Sequence, residues 1–320
     1  MRIGTRATAM ALAQTDEALR RLKAAFPDEA FEAAPMTPRG DRDQVSKLDR
    51  HGGKGGAFVE EIRAAMREGR LDAAMHSLKD MPGDEESPGL VIAAMLAREA
   101  PGDSLVLRPD ISLKAFQDSR ARGLRIGTNS VRRKAFLKRL YPEADIIHYR
   151  GAADTRLRKL DNRTPQKRAD GSQTPPADAL VLARAGLERI GLGARIAYDF
   201  PLAEILPSVG QGVVAIECAA PNWRARARLA AIDDAETRAC AEAEREVLWI
   251  LDGHCNSPIA GHARLSAGAL TLRAAVLSED GAEFIEAEAS GPADRPRALG
   301  RAVGLSLLAK GAGAVIARAS

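Results

Sequence analysis

The segment His76-Ser77-Leu78-Lys79-Asp80 closes an apolar run at 71–75. In α/β folds, active residues sit at the C-terminal ends of buried strands. A carboxylate there, beside a lysine, can stay ionised, stabilise a cation or move protons. A bare Lys79-Asp80 pair equally suits a solvated ion pair at a turn. Arg132 and Arg133 follow a second apolar run and the turn Gly127-Thr128-Asn129-Ser130, at the start of a helical pattern. Free N–H groups and the helix dipole favour anions there. With the Thr128 and Ser130 hydroxyls, the two arginines make a cradle for a carboxylate or oxyanion, or else a solvated helix face. Arg150 with Arg156 repeats the arrangement after the next strand, and Arg6 ends the first one. Arginine grips carboxylates through a two-pronged fork. Together these residues point to an enzyme for a carboxylate-rich small molecule, with Asp80 at its chemical centre.

Other candidates are weaker. The glycine-rich GGKGG at 52–56 lacks phosphate-loop spacing and reads better as a lid carrying a basic residue. Cys255 follows His254 on a loop, which suits a nucleophile, a metal ligand or a small buried side chain. Cys218 and Cys240 read as structural. Three cysteines without CxxC spacing give neither a disulfide framework nor a zinc ribbon, and His262 with Cys255 is too sparse for zinc, so no metal is expected. A net charge of +4 is mild, and aromatics at 4% disfavour base stacking, which argues against nucleic acid. The opening MRIGTR resembles no signal peptide, and no apolar run approaches the ~20 residues of a membrane span. A cytoplasmic protein is expected, with no membrane partner.

These residues need positioning elements. Strands are predicted at 2–4, 31–36, 71–75, 90–96, 105–107, 124–127, 146–149 and 179–183, interleaved with helices over 12–26, 58–68, 131–140 and 154–160. That alternation predicts parallel sheets in two lobes, with a hinge near Pro101-Gly102 and a cleft between them. Residues 162–176 read as a polar surface insertion or linker. The last ~100 residues read as a small α+β unit, with a helix at 234–251, a hairpin of 270–277 with 283–289, and a final helix at 295–308.

Several stretches taken together resemble the hydroxymethylbilane synthase, or porphobilinogen deaminase, family. They are GTRATAMALAQ (4–14), RGD (39–41), GGKG (52–55), HSLKDMP (76–82), IGTNSVRRKAFL (126–137), RG with TRLRKLD (150–151, 155–161), LARAGLERIGL (182–192), LPSVGQGVVAIEC (206–218) and CNSPIAGHA (255–263). The resemblance spans nearly the whole chain in the family's order. It implies two lobes like those of periplasmic binding proteins plus a small α+β C-terminal domain. Domain 1 would be 1–97 with 197–218, domain 2 98–196, and domain 3 219–320. It implies stepwise condensation of four porphobilinogens, with loss of ammonia, by a monomer. A dipyrromethane cofactor would be joined to Cys255 by a thioether. Asp80, with Lys79 and Arg6, would be catalytic. Ser77, Lys79, Thr128, Ser130, Arg132, Arg133, Arg150 and Arg156 would hold the cofactor, and Arg6, Thr8, Arg150 and Arg156 the substrate. Arg50, Lys54 and Phe58 would belong to the lid.

The chain departs from the family's pattern in places. The lid carries one glycine more, RGAADTR puts Ala152 where the family has Asn, His254 precedes the cysteine, and 162–176 is longer than usual. A solute binder of the same fold, without turnover, is the rival reading. It would bind ligand and carry no adduct on Cys255.

Overall fold

The computed structural model describes residues 1–37, 59–83, 87–167, 171–253 and 257–319. Among these, one five-stranded sheet contains β1 (Arg2–Arg6), β2 (Glu32–Met36), β3 (Ala73–Ser77), β4 (Leu90–Met95) and β12 (Val214–Ala219), in the order β2-β1-β3-β12-β4. A second contains β5 (Asp103–Leu107), β6 (Arg125–Thr128), β7 (Asp145–His148), β10 (Ala179–Ala183) and β11 (Tyr198–Asp199), in the order β11-β5-β10-β6-β7. Both sheets are mixed, which corrects the expectation of parallel ones. β1 runs parallel to β2 and β3, while β12 runs antiparallel to β3 and β4. β6 is parallel to β7 and β10, while β5 is antiparallel to β10 and β11. The reason is connectivity. A helical crossover returns a strand parallel to its predecessor, but β5 and β12 arrive from the other lobe.

The chain therefore crosses between sheets twice, and the two crossings run side by side. Glu99 N–H donates to the Gly212 carbonyl at 3.2 Å, and Leu96 N–H to the Val214 carbonyl at 2.9 Å. Tyr198–Asp199 still pairs with β5, so the second crossing begins after Asp199. The boundary expected at 197, and the placement of Asp199 in the first lobe, shift accordingly.

Local chemistry explains the helices next to the cleft. In α1 (Ala9–Ala25), the Thr8 hydroxyl accepts from the Ala11 N–H at 3.3 Å, and buried Ala11, Ala18 and Leu22 face the sheet. α2 spans Glu60–Arg67. α3 (Leu113–Asp118) is capped by Ser112. In α4 (Val131–Leu140), Ser130 adopts extended geometry and its Oγ accepts from the Arg133 N–H at 3.3 Å. α5 (Ala153–Asp161) and α6 (Arg184–Arg189) follow β7 and β10. Between them, β8 (Gln166–Lys167) and β9 (Gln173–Thr174) form a two-stranded ribbon where a polar surface insertion or linker was expected.

α7 (Trp223–Ala230) and α8 (Ala235–Leu251) lead to a three-stranded antiparallel sheet of β13 (Ile259–Ser266), β14 (Ala269–Leu277) and β15 (Phe284–Pro292). α9 (Pro296–Ala309) and α10 (Ala312–Ala319) complete this part. Ile3, Leu22, Met75, Leu96 and Ile216 centre the first core. Leu105, Ile126, Phe136 and Val181 centre the second, and Ala260, Ala275 and Leu277 of the third sheet join it. Each fully buried Leu or Ile contributes about 1.5–3 kcal/mol. Among the described residues, no single helix is long and apolar enough to cross a membrane, and no group of three His, Cys, Asp or Glu side chains could hold a metal ion.

Candidate active site

A cavity of about 470 Å³ opens between the two sheets. Arg6, Thr8, Ser77, Lys79 and Asp80 line it from the first sheet. Ser130, Arg132, Arg133, Arg150, Arg156 and Arg189 line it from the second. The returning crossing, 208–213, forms its floor, and Leu248, Gly253, Ser257 and Ile259 of the C-terminal part close one end. Thr128 is not on this wall. It is 3% exposed and lies behind Ser130, accepting the Ser130 N–H on Oγ1 at 3.2 Å.

β3 delivers the candidate carboxylate. It ends at Ser77, whose hydroxyl donates to Gln14 Oε1 at 3.0 Å, and Leu78–Asp80 then make one tight helical turn. Leu78 anchors that turn in the core at 1% exposure. This leaves Lys79 and Asp80 half-buried on the cavity wall. Behind the strand, His76 is buried against Glu217, and Arg63 of α2 grips Glu217 with two hydrogen bonds of 2.9 Å. The end of β3 is thereby locked to β12 and α2.

Arg132 and Arg133 are already engaged. Arg132 donates Nη2 to Asp103 Oδ2 and Nη1 to the Leu206 carbonyl, both at 2.6 Å. Arg133 donates Nε and Nη2 to Asp103 Oδ1 at 3.0 and 2.8 Å. Gln211 completes the node. Its Nε2 donates to Asp103 Oδ1 at 2.8 Å and to the Pro101 carbonyl at 2.7 Å, and its Oε1 receives Arg133 Nη2 at 3.3 Å and Lys79 Nζ at 3.5 Å. Burial alone would raise the pKa of Asp103, but the two guanidinium groups hold it far below the usual carboxylate range. Burial, reinforced by Arg133, lowers Lys79 to about 8 against the opposing pull of Asp80 and Asp103. Burial, again with Arg133, lowers Arg156 to about 10.

Positive charge is thus crowded on this wall. Among the described residues that line the cavity, Asp80 is the only carboxylate, facing Arg6, Lys79, Arg132, Arg133, Arg150, Arg156 and Arg189. The Nε atoms of Arg132 and Arg156 are buried without a hydrogen-bond partner, whereas that of Arg189 has Glu17 Oε2 at 3.5 Å. Such donors are costly to leave unpaired, and an incoming polyanion would satisfy them. The cavity therefore fits a cofactor or substrate bearing several carboxylates. The Ser130 hydroxyl, which accepts the Arg133 N–H, can donate its proton to the same groups, whereas that of Ser77 is already given to Gln14.

Arg6, Thr8, Ser77, Lys79, Asp80, Ser130, Arg132, Arg133, Arg150 and Arg156 converge on one cavity. Cys255, His254, Arg50, Lys54 and Phe58 lie outside the described residues. Gly253 and Ser257, on either side of the Cys255 segment, both line the cavity. Sequence reasoning missed Asp103, Gln211 and Arg189 as individual site residues. Gln211 lay within the quoted VGQG and Arg189 within LARAGLERIGL, while nothing local marks Asp103.

A family model described as "Porphobilinogen deaminase, dipyromethane cofactor binding domain" matches residues 1–227. A second, "Porphobilinogen deaminase, C-terminal domain", matches 238–309. A porphobilinogen deaminase of Stenotrophomonas maltophilia strain K279a is 41% identical over 99% of this chain and 98% of that one. One from Desulforudis audaxviator strain MP104C is 40% identical over 99% and 96%. Solved structures give looser likenesses. The VFT2 domain of Bordetella pertussis BvgS matches with a TM-score of 0.41 and 16% identity over 72% of this chain and 85% of that one. The periplasmic sulfonate-binding protein SsuA from Methylobacillus flagellatus matches with a TM-score of 0.38 and 13% identity over 78% and 68%. At those scores they carry no argument. On the strength of two family models and relatives matched end to end, the chain belongs to the porphobilinogen deaminase family.

Proposed function

We propose that this chain is a hydroxymethylbilane synthase, a transferase of tetrapyrrole and heme biosynthesis. It condenses four porphobilinogen molecules head to tail on a dipyrromethane primer, with loss of ammonia from each. It then releases hydroxymethylbilane by hydrolysis. The observation that carries this reading is the Asp80 carboxylate, the only one among the described residues of a wall of arginine and lysine. Each pyrrole of this chemistry bears an acetate and a propionate, so a growing chain presents many carboxylates to that wall.

A dipyrromethane joined to Cys255 through a thioether would supply an electron-rich pyrrole carbon as nucleophile. Arg132, Arg133, Arg150 and Arg156, with Lys79, Ser77 and Ser130, would hold its side chains, while Thr128, behind the wall, would act only through Ser130, whose N–H it accepts. Arg6, Thr8, Arg150 and Arg156 take the incoming porphobilinogen. Fixing both partners by their carboxylates turns an encounter between two molecules into an oriented reaction. Asp80 Oδ accepts the pyrrole N–H. It offsets the positive charge that develops on the ring as ammonia leaves, and relays protons. Fixed opposite charge at the site of a developing charge is among the largest catalytic effects. Without Asp80, the cationic wall would oppose that same charge.

Residues 1–97 with the returning strand β12 are assigned as the catalytic lobe, 98–199 as the second lobe and 219–320 as the cofactor-attachment domain. Arg50, Lys54 and Phe58 are assigned to the lid. The working form is a cytoplasmic monomer that engages neither nucleic acid nor membrane.

Intact-mass spectrometry tests the reading directly. The purified chain should carry the mass of one dipyrromethane, Cys255→Ala should carry none, and the wild type should convert porphobilinogen. A bare mass together with no turnover would sink it and favour a solute binder.

A further inference from the structure

The catalytic reading leaves the 162–176 stretch without a role. Its described part is not a slack linker. The ribbon pairs Gln166 with Thr174, and Gln166 is 8% exposed. The Gln166 Oε1 accepts the backbone N–H of Arg150 at 2.8 Å. The Lys159 Nζ donates to the Arg150 carbonyl at 3.5 Å, and the Tyr149 hydroxyl donates to the Thr164 carbonyl at 3.4 Å.

This contact matters because of where Arg150 stands. β7 is an edge strand, and its ladder with β6 ends at His148, with one further bond from the Tyr149 N–H to the Thr128 carbonyl. The next amide, that of Arg150, has no strand to pair with, and an edge amide needs a partner from elsewhere. Gly151 follows at φ 120°, a turn conformation that non-glycine residues avoid. The direction in which the Arg150 side chain leaves the backbone is set at the Arg150–Gly151 turn. Gln166 holds that turn through the amide, and Lys159 holds it through the carbonyl.

We propose that Gln166 is a positioning residue for Arg150, so that the ribbon of β8 and β9 tunes how the cleft grips the carboxylates of its substrate. The functional half of this inference rests on the proposed reaction. Arg150 grips carboxylates that do not react, so its misplacement weakens ground state and transition state alike and appears in KM rather than kcat.

The test uses the cofactor-loaded protein. Gln166→Met keeps size and removes the acceptor, while Gln166→Glu keeps an acceptor. The Met variant should raise KM for porphobilinogen about 3- to 10-fold, with kcat within about 2-fold, as expected for one lost hydrogen bond. The Glu variant should restore KM. In an Arg150→Ala background, Gln166→Met should add nothing to KM, since residues acting through one another are not additive. Amide hydrogen exchange provides the readout independent of turnover. The peptide spanning Arg150 should lose protection about 10-fold in Gln166→Met and keep it in Gln166→Glu. Unchanged exchange, a wild-type KM in the Met variant, or an additive effect on Arg150→Ala would overturn the proposal. A wild-type chain with no turnover would sink the catalytic reading, and the exchange measurement would still decide whether Gln166 holds the Arg150 amide.

Discussion

Replacing Asp103 with Asn probes the node beneath the cleft. Asp103 is 0% exposed and accepts four hydrogen bonds: one from Arg132 at 2.6 Å, two from Arg133 at 2.8 and 3.0 Å, and one from Gln211 at 2.8 Å. Asn keeps the shape but loses the charge, and its amide group must face a guanidinium. Two buried cations are then left without their counter-ion. Removing one partner of a buried ion pair costs about 3–5 kcal/mol, which should lower the melting temperature by roughly 10 °C. Acid dependence gives a second reading. The folded pKa of Asp103 lies below its ordinary value of 3.8. Its contribution is therefore complete above that value and is lost as pH falls below it toward the folded one. Wild-type melting should drop below pH ~4 by more than the variant's does. Thermal melts followed by circular dichroism at pH 7 and across pH 3–5 measure both. An Asn variant melting within about 2 °C of wild type at pH 7, or showing a parallel acid limb, would refute the reasoning.

Asp80→Asn should fold and load cofactor normally yet lose about 10²- to 10⁴-fold in kcat, seen in single-turnover assays with porphobilinogen. Gly210→Ala should destabilise the chain by about 1–3 kcal/mol in urea titrations, since φ is 72° and the added methyl would lie 2.8 Å from Leu78 Cγ, beside the Lys79–Asp80 turn. With burial lowering Lys79 to about 8, porphobilinogen binding to Cys255→Ala protein should weaken as pH rises through that value, because the lysine sheds its charge. Lys79→Arg should flatten that dependence in a calorimetric pH series.

The parts of the fold that the sequence disclosed are those governed by local chemistry. α4 and β10 fall at the expected bounds, Val131–Leu140 and Ala179–Ala183, because Ser130 caps one and an unbroken apolar run makes the other. α8 starts where Asp234 accepts the Thr237 N–H at 2.8 Å. The elements not predicted include β13, α7 and α10. β13 is IAGHARLS, where small and charged residues blur the alternation, and its burial comes from α8 and β14. Strand direction in both sheets depends on the crossings, which no local pattern encodes. The same holds in the cleft. The basic residues were legible by type and position, but the engagement of Arg132 and Arg133 by Asp103 was not, because it joins residues about thirty apart through tertiary packing. The ribbon around Gln166 was hidden by its polar composition, since its order comes from contacts with the end of β7.

The paired crossings also determine how the molecule can bend. Glu244 of α8, fully buried, receives Arg98 from the first crossing and the Gly210 N–H from the second, the latter at 2.8 Å, and binds the Ala263 N–H of β13 at 2.8 Å. Arg98 also donates Nε to the Gln211 carbonyl at 2.9 Å. One carboxylate thus pins both connectors to the C-terminal part, as a pin passes through the two leaves of a door hinge. Gly210 on the cleft floor and Ala263 of β13 therefore share one carboxylate, so displacing either crossing strains its bonds to the C-terminal part.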